Sequence, residues 1–118
     1  MKIKNKIGIG ADIVRVNRFE IVKNDKKFLN KVFSKKEIEY CRNKANAAER
    51  FAAKFAGKEA VMKAFSAFNK KMNLSDVEII NKNKSPKVII KNLKGFNINL
   101  SLSHERDYAV AFALITKE

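Results

Sequence analysis

The C-terminal part of the chain contains four short segments that are either β-branched or alternating in apolar and polar positions. They cover residues 77–80, 87–90, 97–102 and 108–115. Alternation with a period of two is typical of strands that bury one face. Turn residues separate the segments at hairpin length, so we expect the four strands to pair mainly antiparallel.

The N-terminal part of the chain has a different pattern. Residues 7–14 form an apolar run that contains Gly8 and Gly10 and is interrupted by Asp12, which predicts one buried strand. Capping-box spacings at residues 17–20 and 34–37 predict a short helix after each. A segment from about residue 45 to about residue 69, rich in Ala, Phe and Lys, predicts one long helix. The pattern therefore predicts a single α+β domain over residues 1–118, with one long helix packed on a mainly antiparallel sheet.

The long helix carries charged residues beside its predicted core face. At ~100° per residue, an apolar stripe about 80° wide is formed by Phe51, Phe55, Met62 and Phe65. Lys58 projects into the same stripe, and Glu59 sits about 40° to one side. Lys63 lies beside Glu59, while Lys54 borders the opposite edge. Such charges must be paired, extended to solvent or placed in a site, because an unpaired buried charge is very unfavourable.

Two interpretations of these charges remain open. Glu59 and Lys63 either form an i, i+4 pair of little energetic weight, or they belong to a site. Asp12 either faces solvent at a strand end or faces a positive group, and His104, the only histidine, is either structural or part of that site. Two acids, several lysines and one histidine suit Mg²⁺ with phosphate better than zinc. Because Walker, Rossmann and G-x-S-x-G motifs are absent from the sequence, the residues alone predict only a phosphate-handling domain.

The composition narrows the possible partners. The chain of 118 residues has 26 Lys+Arg against 12 Asp+Glu, a net charge of +14. Either a compositional preference for Lys and Asn or attraction to an acidic partner explains this surplus, and the partner is a nucleic acid, a phosphorylated cofactor or an acidic protein. A single cysteine, Cys41, excludes an internal disulfide and agrees with a cytoplasmic location. No apolar run approaches the ~20 residues of a membrane helix, so we expect no membrane association.

Five segments together resemble the holo-[acyl-carrier-protein] synthase family. They are GIGADIV at 8–14, FSKKE at 33–37, RFAAKFAGKEAVMKA at 50–64, SLSHE at 101–105 and YAVAF at 108–112, with Arg18 between the first two. Their order and spacing match the family nearly from end to end, and so does the length. The resemblance implies an enzyme that transfers 4′-phosphopantetheine from coenzyme A to a serine of apo acyl carrier protein in fatty acid biosynthesis, releasing adenosine 3′,5′-bisphosphate.

The resemblance also implies an assembly and a set of site residues. The 4′-phosphopantetheinyl transferase fold is expected to form a homotrimer with active sites between subunits. Asp12 and Glu59 match the family's Mg²⁺-binding acids, and Lys63 matches a lysine near the transferred phosphate. Two carboxylates with phosphate oxygens and water would complete the octahedron that Mg²⁺ prefers. The general base stays open, since a water held by Glu59 or by the metal would serve.

Further positions match the family's substrate-binding residues. Coenzyme A is expected at Lys54, where the family often has arginine near the 3′-phosphate, at Pro86 in a loop near the adenine, and at the phosphate-lining pair Ser103, His104. Residues that match the family's basic helix, which receives the acidic carrier protein, are Arg18 and the nearby Lys23, Lys26 and Lys27. Electrostatic steering toward this helix would use part of the net charge.

The sequence departs from the family's pattern at three places, and rival functions stay open. Residues 66–69 replace a glycine-containing turn, Lys84 and Ser85 replace a glycine before Pro86, and Lys54 lacks arginine's bidentate fork. One rival is a transferase for polyketide or peptide carrier domains. A basic nucleic-acid-binding module would expose aromatic side chains on a sheet face, and we expect no such partner. A non-catalytic trimeric scaffold would tolerate the loss of Asp12 and Glu59.

Overall fold

The computed structural model describes residues 6–118, and every strand predicted from the sequence is present. The elements, in chain order, are β1 Ile7–Arg15, α1 Arg18–Val22, α2 Lys26–Val32, α3 Lys35–Arg42, α4 Ala47–Phe65, β2 Val77–Lys82, β3 Ser85–Ile90, β4 Phe96–His104 and β5 Tyr108–Lys117. Two short 3₁₀ turns, Ser66–Phe68 and Leu74–Asp76, connect α4 to β2. The α+β class is confirmed.

The strands form two antiparallel sheets. One sheet has the order β1–β5–β4, and the other is the β2–β3 hairpin. The β1–β5 register runs from Ile7 opposite Thr116 to Arg15 opposite Tyr108, so the strand from the start of the chain pairs with the strand at its end. The predicted antiparallel pairing is therefore confirmed. Strand β5 is the central strand of this sheet, between β1 and β4.

Helix α4 packs across the three-stranded sheet and also contacts β2. Phe51 and Phe65 of the predicted stripe are fully buried, whereas Phe55 and Met62 are only half-buried. The helix is buried on more sides than the stripe predicted, because several alanines outside the stripe are also buried. Among residues 6–118, no helix is both long and apolar enough to cross a membrane.

The helical middle of the chain differs from the prediction at two points. Helix α2 was not predicted from the sequence; the Asp25 side chain caps it by accepting a hydrogen bond from the Phe28 amide at 3.1 Å. Helix α4 ends at Phe65 instead of near Asn69, because a 3₁₀ turn follows and Asn69 adopts a left-handed backbone with φ of 56°. The capping box at Ser34 and Glu37 is present as predicted.

Candidate active site

Strand β1 contacts helix α4 through glycine. A Cβ at Gly10 would fall on the carbonyl oxygen of Ala60, and a Cβ at Gly8 would fall on that of Ala64. Such close approach of two backbones requires residues without a Cβ. The next residue on this face of β1 is Asp12, whose side chain is 17% exposed. The glycines therefore hold Asp12 against the helix that carries Glu59 and Lys63.

Asp12 forms an ion pair with Lys63. The Lys63 Nζ donates to Asp12 Oδ1 and to the Ala11 carbonyl oxygen, each at 3.0 Å. Since the Lys63 side chain is 53% exposed, water screens the pair, and it adds little to stability. Among residues 6–118, the carboxylate that pairs with Lys63 is Asp12 and not Glu59. The alternative of a silent Glu59–Lys63 pair is therefore wrong.

The carboxylates near Lys63 fit a hard divalent cation. Glu59 is half-buried one helical turn before Lys63, and the Lys63 bond occupies only one of the two Asp12 carboxylate oxygens. Within residues 6–118 there is no group of three or more His, Cys, Asp or Glu side chains placed to hold a metal. A metal enclosed by side chains, as zinc usually is, does not match this donor set. Mg²⁺ does, because it is commonly bound by one or two carboxylates, substrate phosphates and water.

A separate cavity of about 200 Å³ opens between α3, α4, the β2–β3 hairpin and the end of β4. Its walls include three of the residues predicted to bind coenzyme A: Lys54, Pro86 and His104. The other lining residues are Tyr40, Arg50, Ala53, Asn81, Lys84 and Leu102. Four side chains around the cavity are basic or contain imidazole, so the cavity suits an anionic ligand of modest size.

Lys54 forms one buried wall of this cavity. Its Nζ donates to the Ile79 carbonyl oxygen at 2.7 Å and to Asn81 Oδ1 at 3.2 Å, and it lies 4.8 Å from the centre of the Tyr40 ring. The residue is 3% exposed, and burial lowers the pKa of its ammonium. Lys54 therefore ties α4 to β2 and places a desolvated positive charge beside the cavity.

His104 and Arg50 are held in place by neighbours on α3 and α4. His104 Nδ1 lies 2.6 Å from Glu49 Oε1, which joins the last residue of β4 to the first turn of α4. Arg50 Nη1 donates to the Tyr40 hydroxyl at 3.1 Å, and its Nε donates to Asn46 Oδ1 at 3.2 Å. These contacts leave both side chains with a defined orientation at the cavity.

Two of the predicted coenzyme A residues are placed differently from the prediction. Pro86 is the second residue of β3, paired with Asn81, and not part of a loop. Ser103 is exposed, and because side chains alternate along β4 it faces the side of the sheet opposite to His104. The structure thus brings Lys54, Pro86 and His104 together within one chain, but Ser103 does not join them.

The residues predicted to receive a carrier protein are divided between two consecutive helices. Arg18 is the first residue of α1, Lys23 follows that helix, and Lys26 opens α2 with Lys27 beside it. The Arg18 guanidinium lies 5.5 Å from the centre of the Phe55 ring. The predicted basic helix is therefore two short helices, and the helix break places Asp25 among the basic residues.

Comparison with known proteins identifies the family. The sequence matches the 4′-phosphopantetheinyl transferase superfamily over residues 8–113. A holo-[acyl-carrier-protein] synthase of Thermodesulfovibrio yellowstonii is 46% identical over 114 residues, which cover 92% of this chain and 97% of that protein. The chain belongs to the 4′-phosphopantetheinyl transferase superfamily. A second holo-[acyl-carrier-protein] synthase, from Chlamydia felis, is 42% identical and covers 90% of this transferase.

Solved structures support the same fold for this transferase. The acyl carrier protein synthase of Mycobacterium tuberculosis superimposes with a TM-score of 0.77 at 30% identity, over 96% of this chain and all of that one. The holo-[acyl-carrier-protein] synthase of Helicobacter pylori, solved in complex with coenzyme A, gives 0.75 at 28% identity, over 89% of this chain and 96% of that one. The resemblance found from the residues is confirmed.

The turns where this transferase lacks the family's glycines keep a left-handed backbone. Asn69 has φ of 56° after α4, and Asn83 and Lys84 have φ of 52° and 65° between β2 and β3. Asparagine tolerates this region, whereas lysine in it is strained by roughly 1 kcal/mol or more. In both turns, residues other than glycine therefore adopt the left-handed backbone conformation that glycine favours.

Several residues at or beside the cavity were not predicted from the sequence. Glu49, Arg50 and Tyr40 received no role, although Arg50 precedes Lys54 by one helical turn and so shares its face. That spacing was the available signal for Arg50. The Glu49–His104 contact joins residues that are distant in sequence, so no local sequence pattern predicts it.

Proposed function

We propose that this transferase moves 4′-phosphopantetheine from coenzyme A to a serine of an apo acyl carrier protein in the cytoplasm, with Mg²⁺, in fatty acid biosynthesis. One observation carries the proposal: a single cavity gathers Lys54, Pro86 and His104, which the resemblance alone had assigned to coenzyme A. The names of the relatives agree with it. The free, buried Cys41, whose pKa burial raises to about 12, is compatible with a reducing compartment.

The proposed reaction is a phosphoryl transfer. The serine oxygen forms a bond to the phosphorus that carries pantetheine, the bond from that phosphorus to adenosine 3′,5′-bisphosphate breaks, and the serine proton leaves to a base. Mg²⁺ at Asp12 and Glu59 would offset the charge of the phosphates. Lys63 would exchange its bond to Asp12 for the transferred phosphate, which its exposure permits. Lys54 and His104 would bind the phosphates of the leaving group.

We propose that the active form is a homotrimer. The face of the three-stranded sheet that points away from α4 exposes a row of large apolar side chains: Ile7, Ile9, Ile13, Tyr108, Val110 and Phe112. Apolar rows of this kind are usually covered by another protein surface. The cavity and the Asp12–Lys63 pair also lie apart within one chain. Sites between subunits would bring the two halves together.

The trimer proposal is tested by a charge on that face. Phe112→Glu should give monomers in sedimentation velocity, while Glu39→Gln on an exposed position of α3 should sediment as the unchanged protein does. A monomeric unchanged protein that still transfers would contradict the assembly.

One observation agrees with the alternative of a basic nucleic-acid-binding module. Tyr108 and Phe112 are 40% and 47% exposed on a sheet face, as that rival expected. Arg15 lies 5.6 Å from the centre of the Tyr108 ring, but the other large exposed side chains of this face are Ile7, Ile9, Ile13 and Val110. Such a face suits a protein contact better than a stacking platform for bases. We therefore propose no nucleic-acid partner, and binding of single-stranded RNA that weakens steeply with salt would contradict this.

Intact-protein mass spectrometry tests the proposed reaction. An apo acyl carrier protein incubated with the transferase, coenzyme A and Mg²⁺ should gain one phosphopantetheinyl group, and EDTA should abolish the gain. Parallel incubations with polyketide and peptide carrier domains separate the rival transferase, since gain on those domains alone would favour it. No gain on any carrier would refute the proposal.

A further inference from the structure

Glu49 and His104 form a carboxylate–imidazole contact at the edge of the cavity. The Oε1–Nδ1 distance is 2.6 Å, and the two side chains are 19% and 24% exposed. Both are thus largely withdrawn from water, at a contact that joins the first turn of α4 to the last residue of β4. His104 also lines the cavity, and Glu49, which is not one of the lining residues, contacts its Nδ1.

The chemistry of the two groups fixes the ring nitrogens. An ionised carboxylate can only accept hydrogen bonds, so the hydrogen of this contact is on His104 Nδ1. The remaining ring nitrogen, Nε2, is then the atom available to a ligand. Without the carboxylate, nothing in this contact would select one nitrogen over the other.

We infer that Glu49 is a positioning residue for coenzyme A binding, which orients His104 so that Nε2 meets a phosphate of the ligand. The inference rests on the proposed function for the identity of the ligand. A phosphate oxygen also only accepts, so the imidazole between it and Glu49 carries both hydrogens and one positive charge. At a pH where an ordinary imidazole is neutral, about 8, coenzyme A binding should therefore be accompanied by the uptake of one proton from solvent.

The charged surroundings explain why a carboxylate is required there. The titratable groups that face the cavity with His104 are Tyr40 from α3, Arg50 and Lys54 from α4, and Lys84 from the β2–β3 turn. Three of these are cations, which oppose a further positive charge on the ring, and Glu49 is the acid that contacts it. Glu49 thereby offsets the repulsion and holds the imidazole in one orientation.

The first test is spectroscopic and needs no ligand. His104 is the sole histidine in the sequence, so long-range ¹H–¹⁵N spectra report one imidazole. At about pH 8, where an ordinary imidazole is neutral, the unchanged protein should show hydrogen on Nδ1. Glu49→Ala should shift the ring toward the tautomer with hydrogen on Nε2, while the matched variant Glu39→Ala should not. An Nε2–H ring in the unchanged protein, or no shift in Glu49→Ala, would overturn the inference.

The second test measures the dissociation constant of coenzyme A by calorimetry. Glu49→Ala and His104→Ala should each weaken binding about tenfold or more, as expected for a hydrogen bond to a charged group. The double variant should bind coenzyme A no more weakly than His104→Ala does, because both changes disrupt the same Glu49–His104 contact. Titrations in buffers of different ionisation enthalpy should show proton uptake that His104→Ala abolishes.

The outcomes separate this inference from the proposed function. Weakened binding in His104→Ala but not in Glu49→Ala would overturn the role of Glu49 and leave the transferase proposal intact. Normal binding with the predicted Glu49 effects but no transfer to any carrier would support Glu49 and refute the reaction. If the unchanged protein fails to bind coenzyme A, both are refuted.

Discussion

Helix α4 carries two lysine–carboxylate pairs of nearly equal length in opposite surroundings. Lys58 lies 2.9 Å from Glu37, with both side chains at most 1% exposed. Lys63 lies 3.0 Å from Asp12, with the side chains 53% and 17% exposed. The distance does not distinguish them, but the surroundings do. The buried pair is shielded from solvent and ligands, whereas the open pair can exchange its bond for phosphate, metal or water.

The buried pair is fully hydrogen-bonded to the backbone. Glu37 accepts from the Ile79 amide at 2.7 Å and from the Ser34 amide at 2.8 Å. Lys58 donates to the Leu74 carbonyl oxygen at 3.2 Å, and burial lowers the pKa of its ammonium although Glu37 opposes this effect. The pair thus joins α3, α4 and β2, and its role is structural. The comparison teaches that position on the helix, and not residue type, separates a structural lysine from a catalytic candidate.

The largest expected effect comes from breaking the buried pair. Lys58→Met should lower the free energy of unfolding by about 3–5 kcal/mol, because Glu37 is left buried without its counter-charge. The measurement is urea denaturation at a fixed protein concentration. Adding Glu37→Gln should recover much of the loss, since the amide oxygen still accepts one bond. A loss below about 1 kcal/mol in Lys58→Met would show that the pair resembles the exposed one.

Breaking the open Asp12–Lys63 pair should change stability little and activity strongly. Lys63→Met should lower the free energy of unfolding by less than about 1 kcal/mol. The rate of phosphopantetheine transfer at saturating substrates should fall about 100-fold, because a charge near the transferred phosphate is lost. Denaturation and single-turnover mass spectrometry give the two numbers. Normal transfer by a stable Lys63→Met protein would contradict the assignment of Lys63 to catalysis.

Reversing a charge away from both pairs should affect only one substrate. Arg18→Glu should raise the KM for the acidic carrier protein about tenfold, by losing one favourable contact and adding a repulsion. The KM for coenzyme A should stay within about twofold. Steady-state kinetics with each substrate varied in turn make the comparison. Equal rises in both values would show that α1 does not receive the carrier.

The smallest effect is expected from a lysine whose backbone is strained. Lys84→Gly should raise the free energy of unfolding by about 0.5–1 kcal/mol, because an Asn-Gly turn accommodates the left-handed φ of 65°. Lys82→Gly, a change within strand β2, should instead destabilise the protein. Equal effects of the two changes in urea denaturation would argue against strain at Lys84.

The local features of the fold were predictable from the sequence. Strand alternation in the C-terminal part, the capping box at Ser34 and the long helix each follow from residues close together in the chain. Helix α2 was missed because its cap, Asp25, lies in a run of lysines without a strong apolar period. The burial of α4 on several sides was missed because alanines carry little periodic signal.

The partners of charged residues were not predictable in the same way. The pattern placed Lys58 in an apolar stripe and thus required a partner, but Glu37 belongs to another helix. The partner of Lys63 came from β1 rather than from its own helix. Both outcomes depend on tertiary packing, which the periodicity of a single element does not contain. Asp12, Glu59 and Lys63 could be chosen as site residues because the family resemblance supplied that information.

The most direct test of the account is the single-turnover rate of transfer to apo acyl carrier protein by Glu59→Gln, followed by intact-protein mass spectrometry with coenzyme A and saturating Mg²⁺. Glu39→Gln, on an exposed position of α3, is the matched control. We predict a rate at least about 100-fold below that of the unchanged protein, with the control and both unfolding curves unchanged. An unchanged rate in a folded Glu59→Gln protein would contradict the assignment of the open face of α4 to catalysis.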